Sequence, residues 1–352
     1  MKALSLNVNL RSTLSSLTGV QRYALEVFQR LEPYIATRNT RPAATLGAVG
    51  GQLWEQFLLP WKLRSGELLW SPANVGPLCV SRQVVTIHDA ATFDHPEWFK
   101  GLFSRWYRFL LPLLARRCRG VVTVSHDAKR RLVNHLGVPE EKVKVIWNGV
   151  SQALKPARSE DVAELRARYG IRPQSRYFAY VGSLEPRKNL SRLMNAWEEA
   201  SLGPGFQLIV AGSAGKVFSG GGCDRLPAGC RAVGRISDEE LVALLSGAYG
   251  FVYPSLYEGF GLPPLEAMAC GARLGISDIP VLREVCGDVA MYFDPLDTRS
   301  IAKVLVEMAA EKEANRNEAV RRGLAHVQQF TWEKSAQEHA NYFRELERGM
   351  IR

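Results

Sequence analysis

No apolar run in the 352-residue chain approaches the roughly 20 residues that a helix needs to cross a bilayer, which argues against a membrane-spanning protein. The first ten residues hold one lysine, Lys2, and a short alternating segment with no small-residue cleavage site, so they read as a first strand and not as a secretory leader. The six cysteines, at 79, 118, 223, 230, 270 and 286, contain no Cys-x-x-Cys pair, which argues against zinc; in the expected cytoplasmic location they stay reduced. No Gly-x-Gly-x-x-Gly follows the first strand, which counts against a nicotinamide or flavin enzyme. The run Gly212-Ser213-Ala214-Gly215-Lys216 lacks Walker spacing, and no Ser or Thr follows Lys216. No Asp-x-Asp occurs, so a diphosphate would be held without the closely spaced carboxylates that ligate Mg²⁺ or Mn²⁺; the expectation is an activity with neither metal nor cofactor. The net charge of +10 comes without a helix-turn-helix, RNP or zinc-finger pattern, which leaves an anionic membrane surface or phosphorylated substrates ahead of nucleic acid.

What is present is the composition of a globular chain, 46% hydrophobic and 23% charged, long enough for two domains with full cores. Strand-like and helix-like segments alternate almost throughout, which predicts an α/β fold with parallel sheets. Strands are predicted near residues 4–9, 46–49, 68–70, 84–88, 121–124 and 143–146, then near 177–181, 207–211, 231–233, 250–253, 273–276 and 290–293. Helical patterns cover 20–31, 127–136, 190–200 and 238–246. The polar, Pro-containing stretch 151–160 is the linker candidate. It divides the chain into Rossmann-like, doubly wound domains at 1–155 and 156–330, with a helix over 331–352 packing back on the first. Such domains bind ligands in loops at the carboxyl ends of their strands, and two of them facing across a cleft form a substrate site.

The most informative stretch runs from Tyr253 to Glu266. The apolar run 250–253 reads as a buried parallel strand ended by Pro254, followed by a Gly-Phe-Gly turn and a helix with Pro263 near its start. Glu258 and Glu266 stand eight positions apart, before and inside that helix. The backbone N–H groups of Phe260, Gly261 and Leu262 would meet an anion at the positive helix end. A molecule with phosphate in its middle and hydroxyls at both ends fits this pattern, which is the chemistry of a nucleotide-sugar. Lys188 lies in a loop between a strand and a helix, where a cation can neutralise a departing diphosphate; a solvated lysine beside a turn would look the same. His88 ends the apolar run 84–87 and is placed to bond a sugar hydroxyl, to act as acid or base, or to cap the following turn. Gly19 joins the first strand to the first helix and would let backbone approach a phosphate.

Residues 98–111 interleave Trp98, Phe99, Leu102, Phe103, Trp106, Tyr107 and Phe109 with Lys100, Arg105 and Arg108, and Asp127 is the only acidic residue between positions 98 and 135. This suits the interface of an anionic membrane, at which the protein would sit peripherally on the inner face; a helix with buried aromatics and solvated arginines is the alternative.

Taken in order, Gly19, residues 86–89, 122–125, 148–150, 182–190, 234–235, 254–271 and 284–285 resemble the retaining glycosyltransferase family 4, of GT-B architecture, over nearly the whole chain. The resemblance implies that Glu266 binds the nucleotide ribose and Glu258 the donor sugar's hydroxyls. It implies that the amides of Phe260, Gly261 and Leu262, with Lys188, hold the diphosphate and sugar. His88 would contact the donor sugar near the reacting carbon, and Gly19 would lie against the diphosphate. Many members carry Arg where this chain has Ser183, so either Arg187 compensates or Lys188 carries more of the diphosphate. The wording of residues 182–190 is similar to bacterial mannosyl- and rhamnosyltransferases of O-antigen and capsule assembly. It implies a hexosyltransferase acting on a glycan or lipid-linked glycan acceptor, with GDP-mannose as first donor and UDP-glucose or dTDP-rhamnose open; a non-catalytic nucleotide-sugar-binding protein is the rival reading.

Overall fold

A computed structural model describes residues 4–14, 18–183, 185–212 and 226–349; positions 213–216 of the Walker-like run lie outside them. The chain forms two units, residues 1–149 with 330–352, and residues 150–329. Each is built on a six-stranded, wholly parallel sheet.

In the first unit the strands are β1 (Ser5–Asn9), β2 (Ala36–Thr40), β3 (Leu68–Ser71), β4 (Gln83–Thr86), β5 (Gly120–Thr123) and β6 (Val143–Val145), ordered β2-β1-β3-β4-β5-β6. β3, β4 and β5 are buried at every residue, as expected of strands covered on both faces. β2 was not anticipated: Ala-Thr-Arg-Asn-Thr is a polar edge strand, largely uncovered, and shows no apolar run. The strand predicted at 46–49 is not formed. Leu46 and Val49 are exposed, and Val49 lies in the helix Ala48–Leu53.

The second unit has β7 (Arg176–Val181), β8 (Phe206–Ala211), β9 (Cys230–Gly234), β10 (Gly250–Tyr253), β11 (Leu274–Ser277) and β12 (Met291–Phe293), ordered β12-β11-β10-β7-β8-β9. Phe178 and Tyr180 of β7 and Leu208 and Val210 of β8 pack against Leu193, Met194 and Trp197 of the helix Leu190–Ala200, whose apolar residues recur at helical spacing. Ser237 caps the helix Asp238–Ser246 in a reciprocal pair with Glu240. The order reverses between β7 and β10, which is the topological switch point where doubly wound sheets bind ligands.

The division falls at 149/150, not at 155/156. Residues 150–155 thus belong to the second unit, to which the amide of Ala157 is bonded through Ser246 Oγ at 2.9 Å. From Phe330 the chain re-enters the first unit, and the helix Trp332–Glu347 lies on the helix Gly19–Leu31. Here Tyr23 donates to His339 Nε2 at 2.6 Å while His339 Nδ1 donates to the Ser335 carbonyl at 2.7 Å. Thr86 Oγ1, 3.0 Å from the Tyr23 hydroxyl, accepts from Trp70 Nε1 at 3.0 Å. Gly149 is in contact with this helix start: a Cβ there would fall 2.1 Å from the backbone nitrogen of Trp332.

Candidate functional site

The loops that follow β7 and β10 carry most of the residues singled out in the sequence. After β7 the chain makes a single tight turn at Pro186–Lys188. Asn189 then takes the left-handed conformation and starts the helix Leu190–Ala200. The Asn189 amide donates to the carbonyls of Pro254 and Pro295 at 3.0 and 2.8 Å, and Leu256 N donates to the Arg187 carbonyl at 2.8 Å. These bonds join the two loops, so the side chains they carry meet.

At the meeting point Lys188, Tyr253 and Glu258 form a closed triangle. Lys188 Nζ donates to Tyr253 Oη and to Glu258 Oε1, each at 2.6 Å, and the Tyr253 hydroxyl donates to the same Oε1 at 2.6 Å. Ser255 Oγ adds a third donor to Oε1, again at 2.6 Å. The Lys188 and Glu258 side chains are each only 8% exposed. Burial by itself would raise the Glu258 carboxyl. The charges of Lys188 and Arg187 and the bonds from Lys188 and Ser255 outweigh it, and the pKa stays below the usual carboxylate range. Burial pulls the Lys188 ammonium down from its ordinary value, opposed by the Glu258 charge. The other carboxylate oxygen, Oε2, has Arg187 Nη1 at 3.8 Å, and Arg187 Nε also holds Glu185 at 2.6 Å. Arg187 is the more exposed of the two cations, and Ser183 is half-buried with its side chain bonded to Glu185.

Glu266 lies half-buried in the helix Leu262–Ala269. Gly261 stands just before that helix with φ of 104°, which calls for glycine, and a Cβ there would also press on Leu282 Cδ2, 2.6 Å away. Phe260 is buried and Leu262 opens the helix, whose N-terminus has no side-chain cap. Pro263 and Pro264 have no N–H to offer, so the amides left open at this helix end are those of Gly261 and Leu262.

Gly19 and His88 belong to the first unit. Gly19 is the exposed first residue of the helix Gly19–Leu31. His88 follows β4, 7% exposed, with its backbone N–H on Asn74 Oδ1 at 2.8 Å. Its Nε2 is 2.8 Å from the Pro72 carbonyl, which can only accept, so Nε2 carries the hydrogen and Nδ1 a lone pair. Burial depresses the ring's pKa against the pull of Pro72 and Asp89, so His88 is neutral near pH 7. This arrangement suits a hydrogen-bond acceptor at Nδ1 better than a proton donor.

Tyr253 and Ser255 were passed over in the sequence, where Tyr253 looked like the last residue of a buried strand. Its position at the carboxyl end of β10, beside the switch point, was the available signal. In the first unit the basic aromatic stretch forms the helix Gly101–Arg117. Leu110, Leu111 and Leu114 face the core, but Leu102 is 76% and Phe109 61% exposed, with Phe103 and Trp106 also uncovered. A second exposed apolar group stands on the stretch 48–62, with Phe57 at 65% and Trp61 at 88%. The buried carboxylate of Glu55 on that stretch acts on the Tyr107 hydroxyl of the first, so the two are neighbours. No helix among the described residues is long and apolar enough to cross a membrane.

The family model for glycosyltransferase family 4 matches residues 69–154, and that for glycosyl transferases group 1 matches residues 161–323. The chain is 27% identical to the O-antigen chain mannosyltransferase B of Escherichia coli over 94% of this chain and 97% of that protein. It is 29% identical to the O-antigen chain mannosyltransferase RfbU of Salmonella typhimurium over 70% of this chain and 66% of that protein. Among solved structures, Anabaena HepE in complex with UDP and glucose superposes with a TM-score of 0.76 at 18% identity, covering 97% of this chain and all of the other, a likeness of fold. With two matched models that together span well over half its length, two Rossmann-like units and the paired Lys188 and Glu258 of the second, the chain belongs to glycosyltransferase family 4 and has the GT-B fold.

Proposed function

We propose that the protein is a retaining, metal-independent mannosyltransferase that moves mannose from GDP-mannose to a lipid-linked bacterial surface glycan. The observation that carries the reading is the buried triangle of Lys188, Tyr253 and Glu258 beside the N-terminus of the Glu266 helix. It supplies fixed positive charge for a diphosphate, a carboxylate oxygen for sugar hydroxyls and a second carboxylate for a ribose. The mannosyltransferase relatives favour mannose as the sugar.

In this scheme the bond between the sugar's anomeric carbon and the diphosphate breaks, and the electron pair leaves on the phosphate oxygen. Lys188, Arg187 and the helix end stabilise the charge that develops there. The acceptor hydroxyl attacks from the face the phosphate is leaving and gives its proton to a leaving phosphate oxygen, so configuration is retained. Glu258 Oε2 takes sugar hydroxyls; in the first unit, His88 offers Nδ1 as an acceptor to a hydroxyl. The protein's contribution is orientation and charge, with no protein nucleophile.

A thermal-shift screen without added metal, using GDP, UDP, ADP, dTDP and NAD, tests the donor. A ligand at a hundred times its Kd adds about 2.7 kcal/mol of stability. Stabilisation by GDP is expected; a response to UDP or dTDP alone would replace the donor, and silence from every nucleotide would count against the enzyme and the non-catalytic nucleotide-sugar binder alike. The anomeric configuration of the product, read by NMR, tests retention.

For the lipid-linked acceptor, we propose that the helix Gly101–Arg117 and the stretch 48–62 rest on an anionic membrane, apolar residues in the interface and Lys100, Arg105 and Arg108 on headgroups. Co-sedimentation with phosphatidylglycerol vesicles should fall on Arg105→Gln with Arg108→Gln in a salt-dependent way, and on Phe57→Ser with Trp61→Ser at all salt concentrations. Unchanged sedimentation of both double variants would refute the membrane surface.

A further inference from the structure

We infer that Tyr253 is a positioning residue of the donor-sugar site, its hydroxyl fixing which oxygen of Glu258 is presented to the ligand. The inference rests on the reading of Glu258 as the group that receives the sugar's hydroxyls.

Hydrogen-bond directions at the triangle leave little freedom. Lys188 is donor only and Glu258 acceptor only, so the hydroxyl between them accepts from the first and donates to the second. Burial and the adjacent Glu258 charge hold Tyr253 protonated far above neutrality, so this donor is present at every working pH. Oε1 thereby receives Lys188, Tyr253 and Ser255 together, which exhausts its capacity. Only Oε2 remains to meet a ligand, and its one nearby cation, Arg187 at 3.8 Å, is beyond hydrogen-bond distance.

The same bonds restrict Lys188. Two of its three protons are committed to Tyr253 and Glu258, and the ammonium lies 5.1 Å from the centre of the Tyr253 ring. It therefore offers one N–H and its charge to a diphosphate, from a fixed place. Arg187, held by the more exposed Glu185 at 2.6 Å, is the second cation beside the carboxylate. Tyr253 thus separates two tasks, sugar recognition by a locked carboxylate and phosphate binding by the cations next to it.

Tyr253→Phe removes the hydroxyl but keeps the ring, which stacks on Phe251 at 5.8 Å, and so is compatible with the fold. The experiment is calorimetric titration of GDP and of GDP-mannose into wild type, Tyr253→Phe, Glu258→Gln and the double variant. For Tyr253→Phe, GDP affinity is expected within about twofold of wild type and GDP-mannose affinity about tenfold weaker, the scale of one hydrogen bond to a charged group. If Tyr253 acts through Glu258, adding Tyr253→Phe to Glu258→Gln should cost no further GDP-mannose affinity. Equal losses for GDP and GDP-mannose, no loss for either, or additive losses in the double variant would each overturn the inference. If wild type binds UDP-glucose and not GDP-mannose, the donor proposal falls while UDP and UDP-glucose put Tyr253 to the same comparison; binding of no nucleotide-sugar overturns both.

Discussion

Mild acid should destabilise the first unit through His339. The imidazole is wholly buried among Tyr23, Trp70 and Phe343, with both nitrogens engaged: Nδ1–H on Ser335 and Nε2 accepting from Tyr23. Burial chiefly, with the neighbouring His88, lowers its pKa from 6.5 to about 4, against the pull of the Ser335 carbonyl. Between those two values the unfolded chain takes up a proton that the folded unit refuses. Stability is therefore undiminished above pH 6.5, falls as pH drops from 6.5 to 4, and loses nothing more to this group below that. Each pH unit is worth about 1.4 kcal/mol, so the full window costs about 3 kcal/mol, a large share of a domain's stability. Tryptophan fluorescence reports the relevant unit, because Trp54, Trp61, Trp70, Trp98, Trp106, Trp147 and Trp332 lie in the first and only Trp197 in the second. The assay is urea unfolding at pH 7 and pH 4.5, for wild type and His339→Gln, whose amide oxygen can still accept from Tyr23 without titrating. The variant should be the less stable protein at pH 7, and the difference should shrink by 2 to 3 kcal/mol (order of magnitude) at pH 4.5. His88 titrates in both proteins and cancels in the comparison. Parallel losses in the two proteins would refute the reasoning.

Other substitutions test the second unit and the seam of the first. Lys188→Ala and Glu258→Ala should each lower kcat/KM by about two orders of magnitude, as removal of charge-stabilising groups does, and near-normal turnover in either would remove that residue from the site. Glu266→Ala should raise donor KM and leave kcat nearly unchanged, since a ribose contact serves ground and transition states alike; an equal loss in kcat would argue otherwise. Gly149→Ala should cost several kcal/mol, on the order of 3 or more, because the new methyl meets the backbone at Trp332, and a melting curve like wild type's would contradict the close approach.

The strands of the second sheet were legible because a strand buried on both faces is a run of apolar residues between turn signals, as in Tyr177-Phe178-Ala179-Tyr180 and Gly250-Phe251-Val252-Tyr253. β2 was not, since an edge strand exposes Arg38 and Asn39 and needs no apolar pattern. The apolar Leu46 and Val49 mislead for the opposite reason: the run 46–49 reads as a strand, yet both side chains are exposed. Lys188 and Glu258 could be chosen from their motifs, but their bond to each other could not, because it depends on Asn189 and Leu256 drawing two distant loops together. Tyr253 was hidden for the same reason, its ring being indistinguishable in sequence from a core aromatic.

The return of the chain at Phe330 sets an order in time. Residues 150–329 close on themselves as a continuous stretch, so the second unit has all its parts once position 329 has been synthesised. The first unit, begun earlier, still lacks the helix that brings Trp332, His339 and Phe343 onto Tyr23 and Trp70. On the ribosome the half started first is therefore finished last, and its apolar face waits through the synthesis of about 180 residues. A chain stopped at Gln329 would leave a complete second unit tethered to an uncovered first one, so residues 330–352 decide when the first unit can close.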